Sequence, residues 1–232
     1  MAMIASCGDD LKGLRDRALL YFSFATGGRR RSETAQATID KLRRIDGGYI
    51  YRLDFGKTLQ DGVKSGGTPD KPLLGPAAEA MTEWLAASEI QAGPIFRRLV
   101  NGRVGEALSS KSVASIVQSR ARNAGLSGDF GGHSLRSGFV TEGARQGIAL
   151  PAIMSMTDHR SVVSVIGYYH AGAAENNPAA RMLESTKATA ALSVSNSTPM
   201  SLIWQPFILP HTLARRSFPA LSCRKTTHLK CG

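Results

Sequence analysis

Apolar residues first recur at helical spacing over LKGLRDRALLYFSFAT, where Leu11, Leu14, Ala18, Tyr21 and Phe22 share one face. This predicts a helix over 11–26, stopped by Gly27 and Gly28. GRRRSETAQATIDKL follows, and Ser32 is the expected cap of a helix starting near Glu33. Asp46, Gly47 and Gly48 mark a turn. YIYRLDF (49–55) alternates and is rich in aromatics, which predicts a strand. Residues 56–69 have the Gly, Lys and Asp content of a hairpin or loop, and KPLL is its short return strand. Further helices are predicted over 76–90, with Pro76 in the first turn, and over 109–125, with a serine cap and a glycine stop. The same periodicity predicts helices from Ser134 to Gln146, over 149–157, over 161–172 and over 177–191. The expected fold class is mainly α with one small antiparallel β-sheet, an α+β arrangement.

Past residue 192 the rhythm is lost. The stretch from Ser197 to Gly232 has no acid, five Lys or Arg, and four of the ten prolines, so no fold is assigned to it. The expected organisation is a lead-in over 1–10, one domain over 11–190, and a basic tail over 191–232 that is expected to be disordered. The N-terminal apolar stretch in MAMIASCGDDLKG is too short for a signal peptide, and no apolar run approaches the length that spans a bilayer. Cys7, Cys223 and Cys231 are odd in number and far apart, which argues against a disulfide framework and against a metal-type spacing. These features predict a soluble, cytoplasmic protein. A formal net charge of +11 points to a polyanionic partner, nucleic acid before a membrane surface.

Charge alone names no chemistry, so the candidate groups are weighed singly. GGHSLRSGFV sets His133 and Arg136 three apart, on one helical face. A guanidinium fork suits phosphate oxygens, and an imidazole can add a donor or move a proton. GGRRRSE places Arg29, Arg30 and Arg31 at a helix start, with Glu33 able to hold an arginine or histidine. Lys57 and Lys64 lie in the predicted hairpin, where a lysine could reach a bound phosphate and donate a proton. His159 and Tyr168 are nine residues apart, about 900° on one helix, so both meet one phosphate only if the chain breaks between them. Each feature read alone is accounted for by a solvated surface or a packed tyrosine.

In their order and spacing, RRSE at 30–33, GKT at 56–58, HSLR at 133–136 and His159 to Tyr168 resemble the catalytic domain of the tyrosine recombinases, or phage integrase family. LRDRALLYFSFATG and GHSLRSGFVTEGARQG also look like the family, and the resemblance covers about residues 11–190. It implies a site-specific DNA recombinase. Tyr168 would attack the scissile phosphate and form a 3′-phosphotyrosyl link, with Lys57 as general acid for the departing 5′-oxygen. Arg30 and Arg136 would hold the non-bridging oxygens. His133 would assist the tyrosine's proton transfer, His159 would bond the phosphate, and Glu33 would support the geometry. The implied partners are double-stranded DNA and further copies of the chain, in a tetrameric synapse. Neither metal nor cofactor is implied.

Three departures from the family pattern stand out. Asp158 occupies the position of a usual glycine, where an acid either weakens phosphate binding or points away. Tyr169 follows Tyr168 and is the alternative nucleophile. The N-terminal core-binding domain usual in the family is expected to be missing. Two rival readings therefore stay open: a DNA-binding truncated remnant with little or no recombination activity, and a nicking-closing activity of type IB topoisomerase kind.

Overall fold

The computed structural model describes residues 2–53, 69–131, 133–159 and 161–173, all within one unit, Met1–Ser185. Lys57, Lys64, the predicted 177–191 helix and the tail lie outside the described residues. A short helix α1 (Ala2–Ala5) leads to α2 (Leu11–Ala25). The Asp10 carboxylate caps α2 by accepting the Gly13 N–H at 2.9 Å. The α3 helix (Arg31–Ala35) follows after Gly27 and Gly28, and then a turn of 3-10 helix at Ile39–Lys41. The cap of α3 is Arg30, with Glu33 in the first turn; Ser32, expected to be the cap, lies inside the helix. The Glu33 carboxylate reaches back to accept the Arg30 backbone N–H at 3.1 Å and so satisfies an end donor that no helical carbonyl serves.

Strands β1 (Leu42–Ile45), β2 (Gly48–Arg52) and β3 (Asp70–Leu74) form an antiparallel sheet in that order. Ile45 pairs with Gly48 around the two-residue turn Asp46–Gly47, and Tyr51 pairs with both Leu42 and Lys71. Pro72 is tolerated because β3 is an edge strand. A second sheet corrects the expectation of one: β4 (Arg97–Val100) and β5 (Arg103–Ala107) pair around Asn101–Gly102, both at positive φ. Asn-Gly is the sequence that such a tight hairpin turn favours. Between the sheets lies α4 (Pro76–Ser88). The remaining helices are α5 (Ser110–Asn123), α6 (Ser134–Arg145), α7 (Leu150–Thr157) and α8 (Val163–Ala173).

The main core joins α2, the first sheet, α4 and the Ile95–Phe96 segment. Phe22 is fully buried and meets Tyr51 and Phe96 edge-on, with centroids 4.9 and 5.4 Å away. Trp84 is fully buried too, and its indole N–H donates to the Ile95 carbonyl at 2.9 Å. A smaller cluster of Cys7, Leu20, Val117 and Leu135 ties the first residues of the chain to α2, α5 and α6. A third, Val140, Ile153 and Val165, binds α6, α7 and α8 together.

A buried ionic knot fastens the helices beneath these clusters. Asp16 on α2 accepts Arg15 on one carboxylate oxygen at 2.6 and 2.9 Å, and Arg120 of α5 on the other at 2.7 and 2.9 Å. Arg120 also donates to the Ser6 carbonyl at 2.6 Å. Two buried cations therefore depend on one buried carboxylate. Removing its charge leaves both without compensation, a cost of about 3–5 kcal/mol. The Asp16→Asn variant is expected to lose stability of that order, measured by urea denaturation of the full chain.

Candidate functional site: a cluster of arginine and histidine

Two glycines decide where the arginine loop lies. Gly27 (φ 95°) and Gly28 (φ 69°) both adopt the left-handed region. A Cβ on Gly28 would sit 2.2 Å from the Arg136 Cα, and one on Gly27 would sit 2.0 Å from the Met156 carbonyl oxygen. Only glycine permits this approach. It lays the Arg29–Arg30 segment against the first turn of α6 and the end of α7.

Arg136, on that first turn, is only 7% exposed. Its Nε donates to His159 Nε2 at 3.3 Å. His159 Nδ1 lies 2.6 Å from the Thr157 hydroxyl, which donates onward to the Ile153 carbonyl at 3.1 Å. The chain of donors is self-consistent in one arrangement: the imidazole is neutral, protonated on Nδ1, and accepts at Nε2. Burial, then the charges of Arg136, His133 and Arg30, push the His159 pKa from 6.5 down to about 4. Burial, then Arg29 and Arg30, push the Arg136 guanidinium down to about 10, still charged at neutral pH. Arg30, His133, Arg136 and His159 thus act on one small region. Arg30 is 63% exposed at its side chain and lies 3.6 Å from Glu33, which also faces Arg29 at 3.7 Å. His133 is exposed at the N-cap of α6.

The chain breaks between His159 and Tyr168, as a shared phosphate demands. Asp158 ends α7 in the left-handed region (φ 56°), and α8 begins at Val163. Tyr168 on α8 is 43% exposed, and no described hydrogen bond ties its hydroxyl to Arg136 or His159. Tyr169 instead packs on the third cluster and donates its hydroxyl proton to the Ile148 carbonyl at 3.3 Å. The structure therefore gathers Arg30, His133, Arg136 and His159, with Glu33 behind the arginine loop, and leaves Tyr168 free on a neighbouring helix. Lys57 falls outside the described residues.

The Asp158 carboxylate turns away from this cluster. It accepts Lys71 Nζ on Oδ1 at 2.9 Å and Arg29 Nη1 on Oδ2 at 2.8 Å. The sequence reading names Arg29 only as part of the arginine run and does not name Lys71, although a signal exists for each. Arg29 sits within the arginine run, and Lys71 occupies the inward position of β3 beside Leu73 in strand alternation. Burial pushes the Lys71 ammonium below its ordinary value, against the pull of Asp158.

The chain matches the model of the phage integrase family over residues 1–175. It is 37% identical over 171 residues to an integrase/recombinase xerD homolog of Selenomonas ruminantium, covering 71% of this chain and 49% of that protein. It is 30% identical over 164 residues to tyrosine recombinase XerD of Bifidobacterium longum, covering 68% and 50%. The chain thus spans about half the length of these curated relatives. Its fold is that of XerA recombinase (TM-score 0.58, 19% identity, 80% of this chain and 62% of that chain). XerH site-specific recombinase bound to palindromic difH substrate, in a post-cleavage complex, matches with TM-score 0.57 and 22% identity over 79% of this chain and 51% of that chain.

A folded-state pKa below the unfolded value makes the unfolded chain the better proton binder between the two. His159 therefore contributes stability above pH 6.5 that is lost as pH falls towards about 4. Denaturation of wild type and His159→Gln across that range is expected to show a steeper loss in the wild type. Inorganic phosphate is expected to raise the His159 pKa, read by NMR of the ring.

Proposed function

Since the chain belongs to the phage integrase family, we propose that it breaks and rejoins DNA strands through a 3′-phosphotyrosine link. The observation that carries this reading is the cluster of two arginines and two histidines, assembled from segments a hundred residues apart on a glycine-enforced contact. Arg30 and Arg136 place fixed positive charge where the non-bridging oxygens of a phosphodiester gain charge in the transition state. Little reorganisation is needed, because Arg136 is already held by burial and by His159.

The reaction balances without an external energy source. The Tyr168 oxygen forms a bond to phosphorus as the bond to the 5′-oxygen breaks. His133 assists removal of the tyrosine proton, and Lys57 protonates the leaving oxygen. The reverse attack by a 5′-hydroxyl restores the phosphodiester and frees Tyr168. His159 accepts from Arg136 in the free protein. When an anion draws Arg136 away and raises the imidazole pKa, Nε2 takes a proton and becomes a donor to phosphate. Tyr168 rather than Tyr169 is the nucleophile, because the Tyr169 hydroxyl is already committed to Ile148. The partners are double-stranded DNA and, for strand exchange, other copies of the chain. The place of action is the cytoplasm, on the nucleoid. Among the described residues no helix is long and apolar enough to cross a membrane.

Covalent trapping tests this. DNA selected from a random duplex pool by binding is rebuilt with a nick near the bound centre and mixed with the protein, and adducts are read on a denaturing gel. An adduct is expected with wild type and Tyr169→Phe and not with Tyr168→Phe. Arg136→Ala is expected to slow its formation by about 10²–10³. Binding without any adduct on the selected sites would move the assignment to a DNA-binding remnant.

A further inference from the structure

We propose that Lys71, Asp158 and Arg29 form a charged clamp on the end of α7 whose role is to position His159 at the phosphate site. The clamp deepens the reading above, on which its role in cleavage rests. Its existence rests on geometry alone.

A helix leaves its last carbonyls without partners, and they favour positive charge. At the end of α7 two distant cations serve them. Lys71 Nζ donates to the Ser155 carbonyl at 2.7 Å, and Arg29 Nη2 donates to the Met156 carbonyl at 2.8 Å. Each cation also donates to Asp158, one on each oxygen. The Asp158 backbone N–H in turn donates to the Met154 carbonyl at 2.9 Å. Lys71 is fully buried and Arg29 is 3% exposed.

The clamp therefore ties together three separate segments: the edge strand β3, the arginine loop and the residue next to His159. Asp158 holds a left-handed conformation that a non-glycine residue takes at a cost. Its two ion pairs hold the turn there. From that turn the chain delivers Thr157 Oγ1 to His159 Nδ1, which fixes the tautomer and leaves Nε2 facing Arg136. Lys71 and Asp158 thus act on the phosphate site through His159, without touching it.

The test separates holding the fold from holding the histidine. Full-length wild type, Lys71→Met, Asp158→Asn and the double variant are compared by thermal melting and by ¹⁵N NMR of the histidine rings. Each single variant leaves an uncompensated buried charge or breaks one arm, and is expected to melt below the wild type. The double variant removes the charges of Lys71 and Asp158 but leaves buried Arg29 without this carboxylate, so it is expected to melt above Asp158→Asn and below the wild type. It is not expected to recover the histidine. In wild type His159 shows one neutral tautomer, protonated on Nδ1, and in the double variant it exchanges between two. Cleavage of the selected nicked duplex is expected to fall about 10–100-fold with DNA affinity unchanged.

A folded double variant that keeps the single Nδ1–H tautomer overturns the proposal and leaves the clamp a purely structural feature. So does a wild type in which His159 has no preferred tautomer. If the double variant does not fold, Asp158→Glu takes its place; it keeps the charge, lengthens the arm and is expected to lose the single tautomer. Failure of wild type to cleave would count against recombinase activity alone, because the NMR comparison needs no turnover.

Discussion

The cluster of arginine and histidine depends on a backbone contact that side chains could not survive. Gly27 and Gly28 let the end of α2 lie directly on α6 and α7, at distances where any Cβ would overlap main-chain atoms. Without that approach, Arg30 and Arg136 would belong to separate surfaces. With it, their charges act on the same imidazole. Burial first, and the neighbouring like charges second, lower the pKa values of Arg136 and His159, and the like charges oppose one another there. On the proposed function, a phosphate anion held there would relieve that repulsion.

Two carboxylates, Asp16 buried and Asp158 partly buried, solve related problems in different places. Asp16 sits between Arg15 and Arg120 and joins α2 to α5. Asp158 sits between Lys71 and Arg29 and joins the sheet, the arginine loop and the end of α7. In each, one anion answers two cations from different segments. The second lies one residue from His159.

Much of the fold was legible because the helices carry clear periodicity and strong caps. Ser109, Pro76 and the glycine stops mark boundaries that the structure places within a few residues. The second sheet was not read, although Asn101–Gly102 between RRLV and RVGEA is a hairpin signal in plain sight. Strands this short compete poorly with the helical patterns around them. Of the site, the arginines and histidines were legible from order and spacing. Lys71 and Arg29 were not, since their role exists only through Asp158, eighty-seven and one hundred and twenty-nine residues away. Such a pairing leaves no trace in local pattern. The tautomer of His159 was likewise beyond the sequence, because it depends on Thr157 and Arg136 bonding opposite edges of one ring.

Tyr168 and Tyr169 are neighbours on α8, so their side chains leave the helix about 100° apart. One is moored to Ile148, and the other is not. The two phenols therefore meet different surroundings: Tyr169 packs on the cluster of Val140, Ile153 and Val165, while Tyr168 stands 43% exposed on the next face of the same helix.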